Sequence, residues 1–116
     1  MKNVSSNRGF ACPVEAALEI IGGKWKGIIL YHMRHETRRF NELRRLIPEI
    51  SQRMLTKQLR ELEMHQIVRR KIYRQIPPKV EYSLTDFGMT LTPILQALEE
   101  WGVEYIEKIN LVCTEG

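Results

Sequence analysis

Apolar residues recur through the first half of the chain at intervals of three and four, the spacing that lines one face of a helix. Val14, Ala17, Leu18 and Ile21 do so as one expected buried face after Pro13, which opens the helix where its missing N–H has no partner to lose. Gly22-Gly23 ends it. A second helix is predicted over about 24–33, with Trp25, Ile28, Ile29 and Met33 inward and Leu30 widening that face. After a polar turn, Phe40 closes a very short strand, and Asn41 caps a third helix with Leu43, Leu46 and Ile47 inward, stopped by Pro48. Ser51 is the best N-cap in the chain, and Leu55, Leu59 and Leu62 behind it form the stripe of a fourth helix reaching about His65. The period then changes from 3.6 to 2. Val68, Ile72, Val80, Tyr82 and Leu84 alternate with basic or polar residues around Pro77-Pro78, which predicts a hairpin with a long tip. Thr85 caps a final helix in which Leu91, Ile94, Leu95, Leu98, Trp101, Tyr105 and Ile109 keep helical spacing, with a kink expected at Pro93.

This order of elements is α+β, mainly α, and fits a winged helix-turn-helix with a long C-terminal dimerisation helix. The 116 residues suffice for one compact domain, placed at 12–110, with a flexible arm at 1–11 and a tail at 111–116. No apolar run approaches the roughly 20 residues of a membrane span, and the polar N-terminus lacks the apolar core of a secretory signal. A cytoplasmic protein without membrane contact is expected.

Charge sharpens the picture more by its placement than by its total of +4. Residues 38–82 hold twelve Lys or Arg against five Glu, a net +7, while the remainder holds six against nine, a net −3. With Leu55 at zero on a helical wheel, Leu59 and Leu62 fall at about 40° and −20°, and Arg60, Arg53 and Lys57 at about 140°, 160° and 200°. Three cations therefore point away from the core. Ser51, Gln52, Arg53, Thr56, Lys57 and Arg60 are the expected residues of a recognition helix, since Arg forks onto guanine, Gln onto adenine, and Thr offers a hydroxyl and a methyl. Arg69, Arg70, Lys71, Arg74 and Lys79 form a basic wing suited to phosphates; the plainer alternative is a solvated charged hairpin.

The terminal helix carries more apolar surface than so small a body covers. Val14, Leu18, Leu95, Leu98, Trp101, Tyr105 and Ile109 are the expected homodimer interface, the alternative being a helix folded back on its own core. Two-fold pairing sets recognition helices roughly 34 Å apart and calls for a palindromic operator on double-stranded DNA.

Two cysteines are too few for a disulfide framework. Cys12 stands at the cap of the first helix, where N–H groups favour a thiolate, and is read either as a sensor thiol or as a small packing residue at the interface. Arg8, Lys24 and Lys26 would strengthen a thiolate there, and Glu15 would oppose it. Cys113 lacks such a helical context but is expected within reach of Cys12 of the partner subunit if the terminal helices pair. His32, His35 and His65 are too scattered for a metal site, and no cofactor is expected. Trp25, Trp101 and Tyr105 are read as core aromatics before a ligand pocket, so a small-molecule effector stays unnamed. A winged-helix interaction module would not need the cations of the fourth helix, and an enzyme would need a nucleophile with a base or a metal cluster.

The chain resembles the HxlR-type regulators in several blocks, in order. These are Cys12-Pro13-Val14-Glu15, Ile21-Gly22-Gly23-Lys24-Trp25, Arg39-Phe40-Asn41-Glu42-Leu43, Ile50-Ser51-Gln52-Arg53-Met54-Leu55-Thr56, Pro77-Pro78-Lys79-Val80-Glu81-Tyr82 and Leu84-Thr85. The resemblance implies a DNA-binding dimer joined through its N- and C-terminal helices, regulating nearby genes, often in response to oxidants or electrophiles sensed through the cysteine matching Cys12. His65-Gln66 departs from the pattern, because a glycine is usual there; a left-handed residue at this turn would be non-Gly and cost roughly 1 kcal/mol.

Overall fold

The computed structural model describes residues 9–115, with side chains placed for 9–111. Most of the expected arm therefore lies outside the described residues. The elements are α1 (Pro13–Ile21), α2 (Lys26–Met33), β1 (Arg38–Arg39), α3 (Phe40–Leu46), α4 (Gln52–Met64), β2 (Val68–Tyr73), β3 (Lys79–Leu84), α5 (Asp86–Met89) and α6 (Thr92–Glu115). Helices dominate, with one antiparallel sheet of order β1-β3-β2. This is a winged helix-turn-helix: α3 and α4 are the helix pair, and β2–β3 the wing.

One core joins them. Ile29, Leu30 and Met33 of α2, Leu43 of α3, Ile47 and Ile50 of the following turn, and Leu55, Leu59 and Leu62 of α4 pack with Ile67, Val68, Tyr82, Leu84 and Leu95. The turn between α3 and α4 is therefore apolar inside and held by Ile50 N–H donating to the Ile47 carbonyl at 3.1 Å. Two-turn α3 buries Leu43, its C-cap Ile47 four residues on is buried beside it, and Leu46 is left exposed, contrary to expectation. Ile28 and Ile72 are also exposed, the latter because the outer wing extends past the body.

The N-terminus of α3 is not capped by Asn41. Helical geometry begins at Phe40, directly after β1, and the Glu42 carboxylate accepts from the Arg39 N–H at 2.7 Å, so an acidic residue reaching back replaces the expected side-chain cap. At α4 the expectation holds: Ser51 Oγ accepts from the Met54 N–H at 3.0 Å.

The end of α4 carries the strained residue anticipated at His65-Gln66. Ile67 N–H donates to the Leu62 carbonyl and Gln66 N–H to the Glu63 carbonyl, both at 3.0 Å, and Gln66 has φ +62°. That is a Schellman end with glutamine in the left-handed position. Its apolar clasp, Leu62 with Ile67, is fully buried. The Thr85 hydroxyl donates to the Gln66 carbonyl at 2.6 Å and accepts from the Gly88 N–H at 2.9 Å, so the start of α5 pins the same turn.

The C-terminal region differs from the single kinked helix foreseen. Thr85 caps only the four-residue α5, which ends as Leu91 N–H donates to the Gly88 carbonyl. Pro93 then stands at the second position of α6, where an N–H has no helical partner, so it starts a helix rather than kinking one. Helix α6 runs through Glu115, into the stretch set apart as a tail, and the described chain measures 57 × 45 × 24 Å. Among the described residues no helix is long and apolar enough to cross a membrane.

Replacing Gln66 by Gly should relieve the left-handed strain at some cost in unfolded-chain entropy, for a net stabilisation of roughly 0.5–1 kcal/mol. Thermal unfolding checks it: the midpoint should rise by a few degrees, and a fall would mean that Gln66 makes compensating contacts.

Candidate nucleic-acid interface

Burial of Leu55, Leu59 and Leu62 fixes the rotation of α4 about its axis, and Arg53, Lys57 and Arg60 stand exposed on its outer side. None of the three enters a salt bridge among the described residues. Gln52 is exposed beside them, whereas the Thr56 hydroxyl donates back to the Gln52 carbonyl at 2.9 Å. Thr56 therefore presents its oxygen lone pairs and methyl outward, not a free donor.

The pleat of the wing divides its cations. Register pairs Val68 with Leu84, Arg70 with Tyr82 and Ile72 with Val80 on one face, and Arg69 with Ser83, Lys71 with Glu81 and Tyr73 with Lys79 on the other. Arg70 shares its face with the core, and with Arg60 it lines a groove of about 380 Å³ between α4 and the wing. Phe40, Val80 and Tyr82 form the apolar floor of that groove, and Glu63 stands on its rim. Sequence patterning did not assign these four to the interface, although the alternation along β3 already puts Val80 and Tyr82 on the Arg70 face.

Lys71 and Lys79 both lie over the Tyr73 ring, each ammonium 4.8 Å from its centre. Lys79 is also paired with Glu81 at 3.3 Å and is only partly exposed. The Glu81 carboxylate is held below its ordinary pKa, first by a hydrogen bond with Tyr73 and then by Lys79 and Arg39. Of the five expected wing cations, Arg69, Arg70, Lys71 and Arg74 are exposed, while Lys79 serves the wing's internal structure.

On its other flank α4 is tied to α2. Lys26 Nζ meets Glu61 Oε1 at 2.7 Å, and this hydrogen bond holds Glu61 below the usual carboxylate pKa. Helix α2 is linked in turn to α6: the Tyr31 hydroxyl donates to the Glu99 carboxylate, and the Arg34 guanidinium lies 3.8 Å above the Tyr31 ring. That acceptor and partial burial raise the phenol's pKa.

Cys12 is exposed and precedes α1 in extended conformation, its carbonyl accepting from the Glu15 N–H at 3.0 Å. Lys26 is committed to Glu61, Lys24 lies over the Trp25 ring at 4.8 Å, and Arg8 lies outside the described residues. The Cys113 thiol also lies outside the described side chains. His32 is half-buried, and its pKa is lowered by burial and by Arg38 and Arg34; His35 and His65 are exposed.

The expected dimer residues separate as well. Leu95 is 3% exposed and belongs to the chain's own core, so it is not available to a partner. Val14, Leu18, Leu98, Trp101, Tyr105 and Ile109 are all exposed; Trp101 is 64% exposed and stacks on Tyr105 with ring centres 5.5 Å apart. Helix α1 buries no residue, because it leans on the body only near its C-terminal end, through Ile20 and Ile21.

Residues 20–110 match the HxlR-like helix-turn-helix family. The chain belongs to that family. It is 56% identical over 106 residues to the uncharacterized HTH-type transcriptional regulator YdeP of Bacillus subtilis strain 168, covering 91% of this chain and 83% of that protein. Among solved structures, the redox regulator HypR in its reduced form superposes with TM-score 0.81 at 57% identity, over 85% of this chain and 98% of that one. The oxidized form gives 0.78 at 62%, over 80% and 96%. Reduced YodB of B. subtilis gives 0.72 at 36%, over 85% and 98%. This HxlR-like chain is an HTH-type transcriptional regulator, and the family is not enzymatic.

Replacing Lys26 by Met keeps the packed stem and removes the partner of Glu61. Because the folded-state pKa of Glu61 is depressed, the pair's contribution is complete above the ordinary carboxylate pKa and is lost as pH falls through the lowered value. The variant should be less stable at pH 7 by roughly 0.2–1 kcal/mol, as for partly exposed pairs. Thermal melts should show that gap closing below about pH 4; a gap independent of pH would assign the loss to packing.

Proposed function

We propose that this HxlR-like regulator binds a palindromic operator as a homodimer and that reaction of Cys12 with an oxidant or electrophile changes its affinity. The observation that carries the DNA-binding part is the exposed, unpaired ridge Arg53–Lys57–Arg60 on a helix whose opposite face is locked into the core. Gln52 and Arg53 in the first turn are the base-reading residues, with Arg60, Arg70 and Arg74 on the phosphates. Double-stranded DNA as partner goes with a cytoplasmic location.

Dimerisation is supported by the apolar surface of α1 and α6 that a single chain leaves in water, including the stacked Trp101 and Tyr105. An isolated half-site contact would also be weak. Thiol control is supported by the exposure of Cys12 and by likeness to HypR, a redox regulator solved in oxidized and reduced forms, and to YodB, solved reduced and after diamide treatment.

Arg53→Ala should weaken operator binding by about 1–3 kcal/mol and relax discrimination at one base pair, measured by gel shift on the chain's own upstream region. Equal loss on every sequence would reassign Arg53 to phosphate. Cys12→Ser should bind the operator as the wild type does but stop responding to diamide or peroxide; an unchanged response would remove Cys12 as the sensor. Trp101→Glu should shift the protein to monomer in analytical ultracentrifugation and abolish tight binding to the full palindrome.

A further inference from the structure

The block Gly22-Gly23-Lys24-Trp25-Lys26 has no role in the reading above, yet it is built against the recognition helix. It lines an open recess of about 280 Å³ together with Leu18 and Glu19 of α1 and Lys57, Gln58 and Glu61 of α4. On the helical wheel, Lys57, Glu61 and Gln58 fall at about 200°, 240° and 300°, while the residues facing the wing, Gln52, Thr56, Arg60 and Glu63, fall at about 60–140°. The turn and the wing thus flank α4 on opposite sides of its outward ridge.

A helix in the major groove lies between two sugar-phosphate walls about 12 Å apart, close to its own diameter with side chains. The wing supplies cations for one wall. The other wall passes the turn 22–26, and resting on the operator-binding reading above, we propose that this turn is a second phosphate-binding arm, with Lys24 and Lys57 as the contacting cations.

The local construction suits that role. A Cβ on Gly22 would stand 2.3 Å from the Leu18 carbonyl oxygen, and Gly23 has φ +72°, so the chain passes close to α1 and reverses in a way that side chains oppose. Lys24 is exposed, and its ammonium lies over the half-buried Trp25 ring, a contact that restrains the side chain without a salt bridge among the described residues. Lys26 neutralises Glu61, which lines the recess with Lys57, and fastens the turn to α4. Glu19 on the α1 side is the remaining opposing charge. Lys57, one of the outward cations of α4, is thereby assigned to backbone contact.

The test uses the full-length protein on operator and random duplexes from 50 to 300 mM KCl. Lys24→Ala should lower the log–log salt slope by about 0.9, the value for one phosphate, and weaken binding to both duplexes by roughly 3- to 10-fold at fixed salt. Ethylation interference should lose its signal at phosphates on the side of each half-site away from the wing. Lys24→Gln, with the same melting midpoint as wild type, guards against a folding defect and should behave as Lys24→Ala. An unchanged slope and footprint, with Arg53→Ala still relaxing discrimination, would overturn the arm and leave the regulator reading standing. A lowered slope with an unchanged ethylation pattern would reduce Lys24 to a distant field effect and also overturn it. Wild-type binding without salt dependence or sequence preference would instead remove the operator-binding reading itself.

Discussion

The face that α4 turns to solvent is set by the burial of three leucines. Leu55, Leu59 and Leu62 are almost wholly removed from water, and at about 1.5–3 kcal/mol each they outweigh anything the exposed side of α4 contributes to its orientation. Rolling α4 by one residue's turn would expose a leucine and drive a cation into an apolar core, a state that neither solvation nor pairing offsets. The Ser51 cap fixes where the helix begins, and the Leu62–Ile67 clasp fixes where it ends. Between those points the placement of Arg53, Lys57 and Arg60 is a consequence of core packing.

The sheet sorts charge by a different rule. Alternation along β2 sends Arg70 to the α4 side and Arg69 and Lys71 to the other, so one basic sequence makes two surfaces. Glu81 is the local counterweight: it faces Lys71 across the ladder, is paired with Lys79, and stands opposite Arg39 of β1. The net positive charge of the wing is concentrated by that pairing in the arginines, whose planar forks suit phosphate better than an ammonium does.

Helices α1 and α6 stand apart from this economy of burial. Among the described residues most of their apolar side chains are left exposed, and α6 is attached to the body through Leu95 and through Tyr31 with Glu99. The link from α6 to α2, and from α2 through Lys26–Glu61 to α4, forms a continuous set of contacts between the exposed C-terminal surface and α4.

How much of this was legible in advance follows from the range of the forces involved. Residue order alone determined the succession of elements as far as the wing, the Ser51 cap and the outward face of α4, because each depends on backbone geometry within a turn or two; the left-handed residue before the wing was implied only by the family resemblance. Nearest-neighbour signals also misled where two readings were locally equivalent: Pro93 serves equally well as a kink or a start, and Leu95 and Leu98 look alike on a wheel. Only the tertiary structure separated them, placing Leu95 in the core and Leu98 in water. It alone committed Lys26 to Glu61, Tyr31 to Glu99 and Lys79 to Glu81 and the Tyr73 ring, and it brought the turn 22–26 to the flank of α4. Those pairings join distant segments, or depend on how strands and helices are packed, and no local period encodes them.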